Sequence, residues 1–131
     1  MDNDIEALIK QTIQCAYTVH EVLSQGYLEN IYKKALLIEL QAHGIDAQEE
    51  VPLQVYYKGH IIGDYYADIV VAGKIILELK AVRSISPLHG VQLVNYLQAT
   101  GLDTGLIINF GEHPIGIQRK YRSPKRKLST D

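Results

Sequence analysis

Apolar positions recur at helical spacing over residues 4–24, where Ile5, Leu8, Ile9, Ala16, Val19 and Leu23 share a side. Gln25-Gly26 interrupts that stripe, and a second runs over 27–43 with Leu28, Ile31, Tyr32, Ala35, Leu36 and Leu40 before Gly44 stops it. From Ile45 the period changes to two. Val51, Leu53 and Val55 alternate in a strand whose start Pro52 places at a sheet edge. Lys58-Gly59 marks a turn, and strands over 61–71 and 75–81 flank Ala72-Gly73-Lys74. Ser86-Pro87 reads as N-cap and first helical residue of a third helix that ends at Gly101. Residues 104–110 form a continuous apolar run, the mark of a strand buried on both faces. A turn, room for a short edge strand near 115–121, and a basic tail follow. The order α-α-β-β-β-α-β predicts one mixed α/β domain, a sheet flanked by helices.

Composition narrows the class. At 131 residues the chain suits one domain, and 47% hydrophobic with 21% charged residues is ordinary for a globular protein. Its longest apolar runs are too short to cross a bilayer, so no membrane partner is expected. No charged-then-apolar leader is visible, and the lone Cys15 excludes an internal disulfide. Both point to a reducing cytoplasm. The net charge of −2 hides an asymmetry: residues 119–131 carry six Lys and Arg against Asp131. The division expected is therefore an acidic body over 1–118 and a basic tail over 119–131. Such a body repels phosphate backbones at long range, whereas the tail either attracts them or is simply solvated.

Candidate chemistry sits on the middle strands. In Lys74-Ile75-Ile76-Leu77-Glu78-Leu79-Lys80, alternation sends Ile75, Leu77 and Leu79 to one face and Ile76, Glu78 and Lys80 to the other. The preceding strand carries Asp68 alone among apolar neighbours. Charges in such settings are costly unless paired or bound to metal. A two-residue loop between the strands leaves Asp68 on the wrong face. A three-residue loop pairs 71 with 75 and sets Asp68 opposite Glu78, and Gly73 favours it. Asp68, Glu78 and the main-chain carbonyl of Leu79 then suit Mg2+, with Mn2+ as a substitute. Lys80 would orient a water and stabilise charge on a phosphate. The plainer reading is an Asp68–Lys80 ion pair between strands.

Asp68-x9-Glu78-Leu79-Lys80, on a hairpin followed by a helix, resembles the PD-(D/E)XK nuclease superfamily, with Ala67 where the motif has proline. His89, Gln92 and Tyr96 share one face of the third helix, and Gln92-x3-Tyr96 is similar to the Q-x-x-x-Y element of its exonuclease branch. A closer resemblance, over most of 5–115, is to the GxxExxxR family. It rests on Gly26-x2-Glu29-x3-Lys33, Val51-Pro52-Leu53, Ala67-Asp68, Leu77-Glu78-Leu79-Lys80-Ala81, Pro87-x-His89-x2-Gln92 and Ile108-Asn109-Phe110-Gly111. Lys33 stands where that family has arginine, keeping charge but losing the planar fork. The resemblance implies a restriction-endonuclease-like fold and a metal-dependent nuclease. It also implies that Glu29 joins the metal cluster and that Gln92 hydrogen-bonds a metal-bound water or phosphate. Lys33 would hold Glu29 or touch phosphate; the bland alternative for Glu29 is an i, i+4 pair with Lys33.

His89, Tyr96, Arg83 and Lys33 complete the substrate-binding candidates. Tyr56-Tyr57 and Tyr65-Tyr66 read either as packing or as surfaces for bases. The leading expectation is hydrolysis of nucleic-acid phosphodiesters. The alternative is a non-catalytic module of the same fold acting through protein or nucleic-acid binding, and a homodimer is compatible with so small a chain.

Overall fold

In a computed structural model that describes residues 2–122, the helices are α1 (Asp2–Leu23), α2 (Glu29–Ala42) and α3 (Pro87–Thr100). The strands are β1 (Ala47–Tyr57), β2 (His60–Val71), β3 (Ile75–Lys80), β4 (Thr104–Asn109) and β5 (Gly116–Tyr121). They form one five-stranded sheet in the order β1-β2-β3-β4-β5. β3 and β4 are parallel, joined over the sheet by α3, and the other neighbours are antiparallel. The edge strand near 115–121 is β5, which draws Arg119 and Lys120 into the sheet, so the division expected after 118 falls inside an element. Lys125, Arg126 and Lys127 of the tail lie outside the described residues. Among the described residues no helix is long and apolar enough to cross a membrane.

The helices divide the core in two. Ile69, Leu77 and Leu106 pack with Ile9, Leu36 and Leu40 on the α1/α2 side. Val70, Ile76 and Ile107 pack with Leu93 and Leu97 on the α3 side. All of β4 is buried, as its unbroken apolar run requires. α3 starts as its sequence signals: the Ser86 hydroxyl accepts from Leu88 N–H at 3.1 Å, and Gly101 closes the helix at φ 77°.

Local devices fix the ends of the elements that frame the site. The β2–β3 hairpin pairs Val71 with Ile75, with Ala72 at φ 54° and Gly73 at φ 65° in the loop. Buried Asn109 clamps the chain leaving β3: it accepts from Val82 N–H at 3.0 Å and donates to Val82 O at 2.8 Å. Gly111 lies against the Val82 main chain, where a Cβ has no room. At the start of α2, the Tyr32 hydroxyl accepts from Tyr27 N–H and donates to Ser24 O, while its ring stacks on Phe110 at 4.6 Å. Gln25 donates to Gly111 O at 2.6 Å. Glu29 is thereby held above the sheet's middle.

Candidate active site

β2 is irregular at Asp68. Residues two apart on a regular strand share a face, yet Ala67 packs on the α3 side and Ile69 on the α1/α2 side. Opposite Asp68, the ladder passes from Glu49–Ile69 to Val51–Ala67, and Glu50 between them has φ 50°. The β2–β3 ladder also ends close by, at Ile69–Leu77. Beyond that pair, side chains bridge the gap. The Asp68 carboxylate accepts Leu79 N–H at 2.8 Å, and the Asp68 N–H serves the Glu78 carboxylate.

The expected pairing of Val71 with Ile75 is present, but the ladder stops at Ile69–Leu77. Asp68 and Glu78 are therefore not set opposite one another on one face as expected: the break at Asp68 turns it to the α2 side, while Glu78 lies with Tyr65 on the α3 side. Asp68 opens onto a pocket of about 230 Å3 with Glu29, Asn30, Lys33, Glu50 and Leu79. Glu78 accepts a short hydrogen bond from the Tyr65 hydroxyl, and Tyr65 stacks on Tyr96 with ring centres 3.4 Å apart. Burial is the main force raising the Asp68 carboxyl above the ordinary carboxylate range. Leu79 N–H opposes it, the Glu29 and Glu50 charges add to it, and Lys33 lowers it. Burial likewise lifts Glu78 to about 7; the Tyr65 hydrogen bond works against this, Asp68 adds to it, and Lys80 opposes it.

The remaining candidates fall around this gap in distinct ways. Lys80 ends β3 beside Glu78, half-buried, with its carbonyl accepting Phe110 N–H at 2.8 Å. Glu29 is exposed in the first turn of α2. Lys33 forms its ion pairs with Glu50 at 3.3 Å and Glu49 at 3.9 Å, so the expected i, i+4 pairing with Glu29 gives way to a bridge onto β1. On α3, Gln92 is exposed and Tyr96 backs Tyr65. His89 is occupied in the helix cap, its Nδ1 accepting Ser86 N–H at 3.2 Å. Arg83 is exposed just past β3.

Sequence reading missed two residues of the site. Tyr65 looked like packing or a base platform; its position on the strand of Asp68, three residues earlier, was the available signal. Glu50 carried none, because its role comes from a backbone irregularity.

The donor chemistry fits a hard divalent cation. Asp68, Glu78 and the Leu79 carbonyl offer oxygen only, and burial makes ionising either carboxyl costlier than nearby lysines offset. Among the described residues, no group of three or more His, Cys, Asp or Glu stands ready to hold a metal. Tyr65 engages Glu78, and Lys33 supplies positive charge near Asp68.

A family profile described as the PD-(D/E)XK nuclease superfamily matches residues 6–120. A solved structure described as the crystal structure of SSO0001 is similar, with a TM-score of 0.56 and 22% identity. The match covers 71% of this chain and 49% of that one, so this chain spans about half of that protein's length. At this identity the likeness concerns the fold. No curated protein matches the chain in sequence. Nucleases of the matched superfamily generally use divalent metals and bind nucleic acid. The profile spans both helices that precede the sheet, the split between β2 and β3, and nearly all of β5, and the chain belongs to the PD-(D/E)XK nuclease superfamily.

Proposed function

We propose that the protein is a magnesium-dependent nuclease that hydrolyses nucleic-acid phosphodiesters, of the GxxExxxR type, with manganese as a substitute ion. The observation that carries this reading is the pair of desolvated carboxyls, Asp68 and Glu78, that flank the gap where β2 and β3 part, with Lys80 next to Glu78. Asp68, Glu78 and the Leu79 carbonyl would hold the cation, with Glu29 lining the Asp68 pocket from α2. The bound ion supplies Lewis acidity at the scissile phosphate.

The chain's own groups do the rest. Lys80 orients the attacking water and stabilises negative charge on the phosphate oxygens as the P–O bond breaks. Gln92 reaches the substrate from α3, while Tyr96 holds Tyr65 and Tyr65 holds Glu78. Arg83 and His89 contact phosphates flanking the cut, while Lys33 stays paired with Glu50 and Glu49 beside Asp68. The reading places the enzyme in a reducing cytoplasm, as a monomer or homodimer.

Incubation of labelled DNA and RNA with Mg2+ or Mn2+ tests it directly. Wild type cuts; Lys80→Met binds the ion in calorimetry but does not cut; Asp68→Asn does neither. No cleavage by wild type under any of these conditions sinks the proposal. A second reading, a non-catalytic module of the same fold, draws on one observation: Tyr65 and Lys33 already satisfy groups that a cation would use. Absence of ion binding by calorimetry would favour it.

A further inference from the structure

The pocket that holds Asp68 is lined by carboxylates and one lysine, and exposed rings stand two residues along the chain from two of its lining residues. Tyr65 and Ala67 pack on the α3 side, so alternation turns Tyr66 to the α2 side, about 7 Å along the strand from Asp68. Tyr66 is 57% exposed, and its ring stacks on no protein ring among the described residues. Tyr27 and Leu28 lead into Glu29, with Tyr27 49% exposed and set edge-on against buried Tyr32. Ile31, one turn along, is exposed as well. The cation lining this pocket, Lys33, is buried and committed to Glu50 and Glu49.

We infer that the nucleic acid entering this pocket is single-stranded, with its bases stacked on Tyr66 and Tyr27, the exposed rings two residues along the chain from Asp68 and Glu29. The inference rests on the nucleic-acid reading above and names the substrate form. Duplex recognition depends on rows of Lys and Arg that neutralise two phosphate backbones. Here the one lysine of the pocket is already paired with Glu50 and Glu49, and the neighbouring exposed groups are aromatic and aliphatic faces. An unpaired strand exposes base faces, and stacking on aromatic side chains tolerates any sequence. Tyr66 also lies on the same strand as Asp68, so a base resting on it carries its phosphate toward the proposed cation.

Binding separates this inference from catalysis. Fluorescence anisotropy with a labelled single-stranded oligonucleotide of mixed sequence, its blunt duplex and its RNA counterpart is measured in EDTA, so that nothing is cut. Tyrosine emission supplies a second signal, since the chain has nine Tyr and no Trp. At least one single strand is expected to bind roughly tenfold tighter than the duplex. Tyr66→Ala and Tyr27→Ala should each weaken that binding about tenfold, the loss of one stacking platform. Tyr66→Phe should keep it, and Tyr121→Ala, exposed on β5, should leave it unchanged. Both substituted rings are exposed, and thermal melting checks that the variants fold. Equal or tighter duplex binding, or single-strand binding indifferent to Tyr66→Ala, overturns the inference. Single-strand stacking without cleavage in Mg2+ or Mn2+ would instead remove the nuclease reading and leave this one standing.

Discussion

The Asp68 carboxylate accepts the main-chain N–H of Leu79 across the gap where the β2–β3 ladder has ended. A side chain thus replaces a strand-to-strand bond at the point where the sheet opens. Glu78 takes the Asp68 N–H in return, so each carboxyl braces the other's strand.

Asp68→Asn tests the two roles of that group separately. Its amide oxygen still accepts from Leu79, so the fold should survive with a stability change within about 1 kcal/mol. The added ion should then no longer raise the melting temperature, whereas wild type gains stability with ion concentration. Melting curves over a magnesium titration distinguish the two; equal ion-dependent gains in both proteins would remove Asp68 from the ligand set.

Glu78 sets the pH dependence. Unfolded, it ionises near the ordinary value of 4.5; folded, burial keeps it protonated up to about 7. Between those values the native state binds more protons, so metal-free stability should fall as pH rises. The loss is complete above the folded value and reaches up to about 3 kcal/mol. Urea unfolding at pH 5 and pH 8 measures it. Saturating magnesium should recover much of the loss at pH 8, where the carboxylate is free of its proton.

Tyr65→Phe removes the hydroxyl that steadies Glu78 without emptying the space its ring fills beside Tyr96. The variant should fold and keep its stacking. Losing this hydrogen bond moves Glu78 further above 7, because the bond works against burial. Ion affinity at pH 7 should drop roughly tenfold, about 1.4 kcal/mol, and recover partly at pH 9. Calorimetry at the two pH values reads the difference; a pH-independent loss would argue for distortion instead.

Asn109→Ala should be strongly destabilising. It strands the Val82 N–H and carbonyl that the amide satisfies, at a cost of about 2–4 kcal/mol for two buried groups. Gly111→Ala should act similarly, since its Cβ meets the Val82 main chain. Denaturant melts of both variants are the check, with Leu88→Ala on exposed α3 surface as a near-neutral comparison.

Lys33→Met leaves Glu50 and Asp68 without their nearest cation. A loss of about 1–3 kcal/mol is expected, moderated because Glu50 is half exposed. If Lys33 stands in for positive charge that the proposed ion supplies, magnesium should stabilise Lys33→Met more than wild type. Equal stabilisation contradicts that substitution.

The elements of this chain are legible because their signals are local. Ser86-Pro87 and Gly101 bound α3, and the three-residue loop follows from Ala72-Gly73-Lys74, where two consecutive residues take positive φ. Boundaries shift where distant partners intervene. α2 begins at Glu29 rather than 27 because the Tyr27 N–H is taken by the Tyr32 hydroxyl. β5 absorbs residues that look like tail because β4 offers them an open edge.

Periodicity and turn chemistry determined the fold class and the 71–75 pairing of the hairpin, and the charges on β2 and β3 marked Asp68, Glu78 and Lys80 as candidates. These depend on contacts within a few residues, which the order of side chains encodes directly. Only the tertiary structure decided that Lys33 turns to Glu50, that Tyr65 holds Glu78, and that a break in β2 gives Asp68 its own pocket. Those choices depend on which of several charged or polar groups comes within hydrogen-bonding reach in a desolvated gap, and packing of separate elements sets that reach.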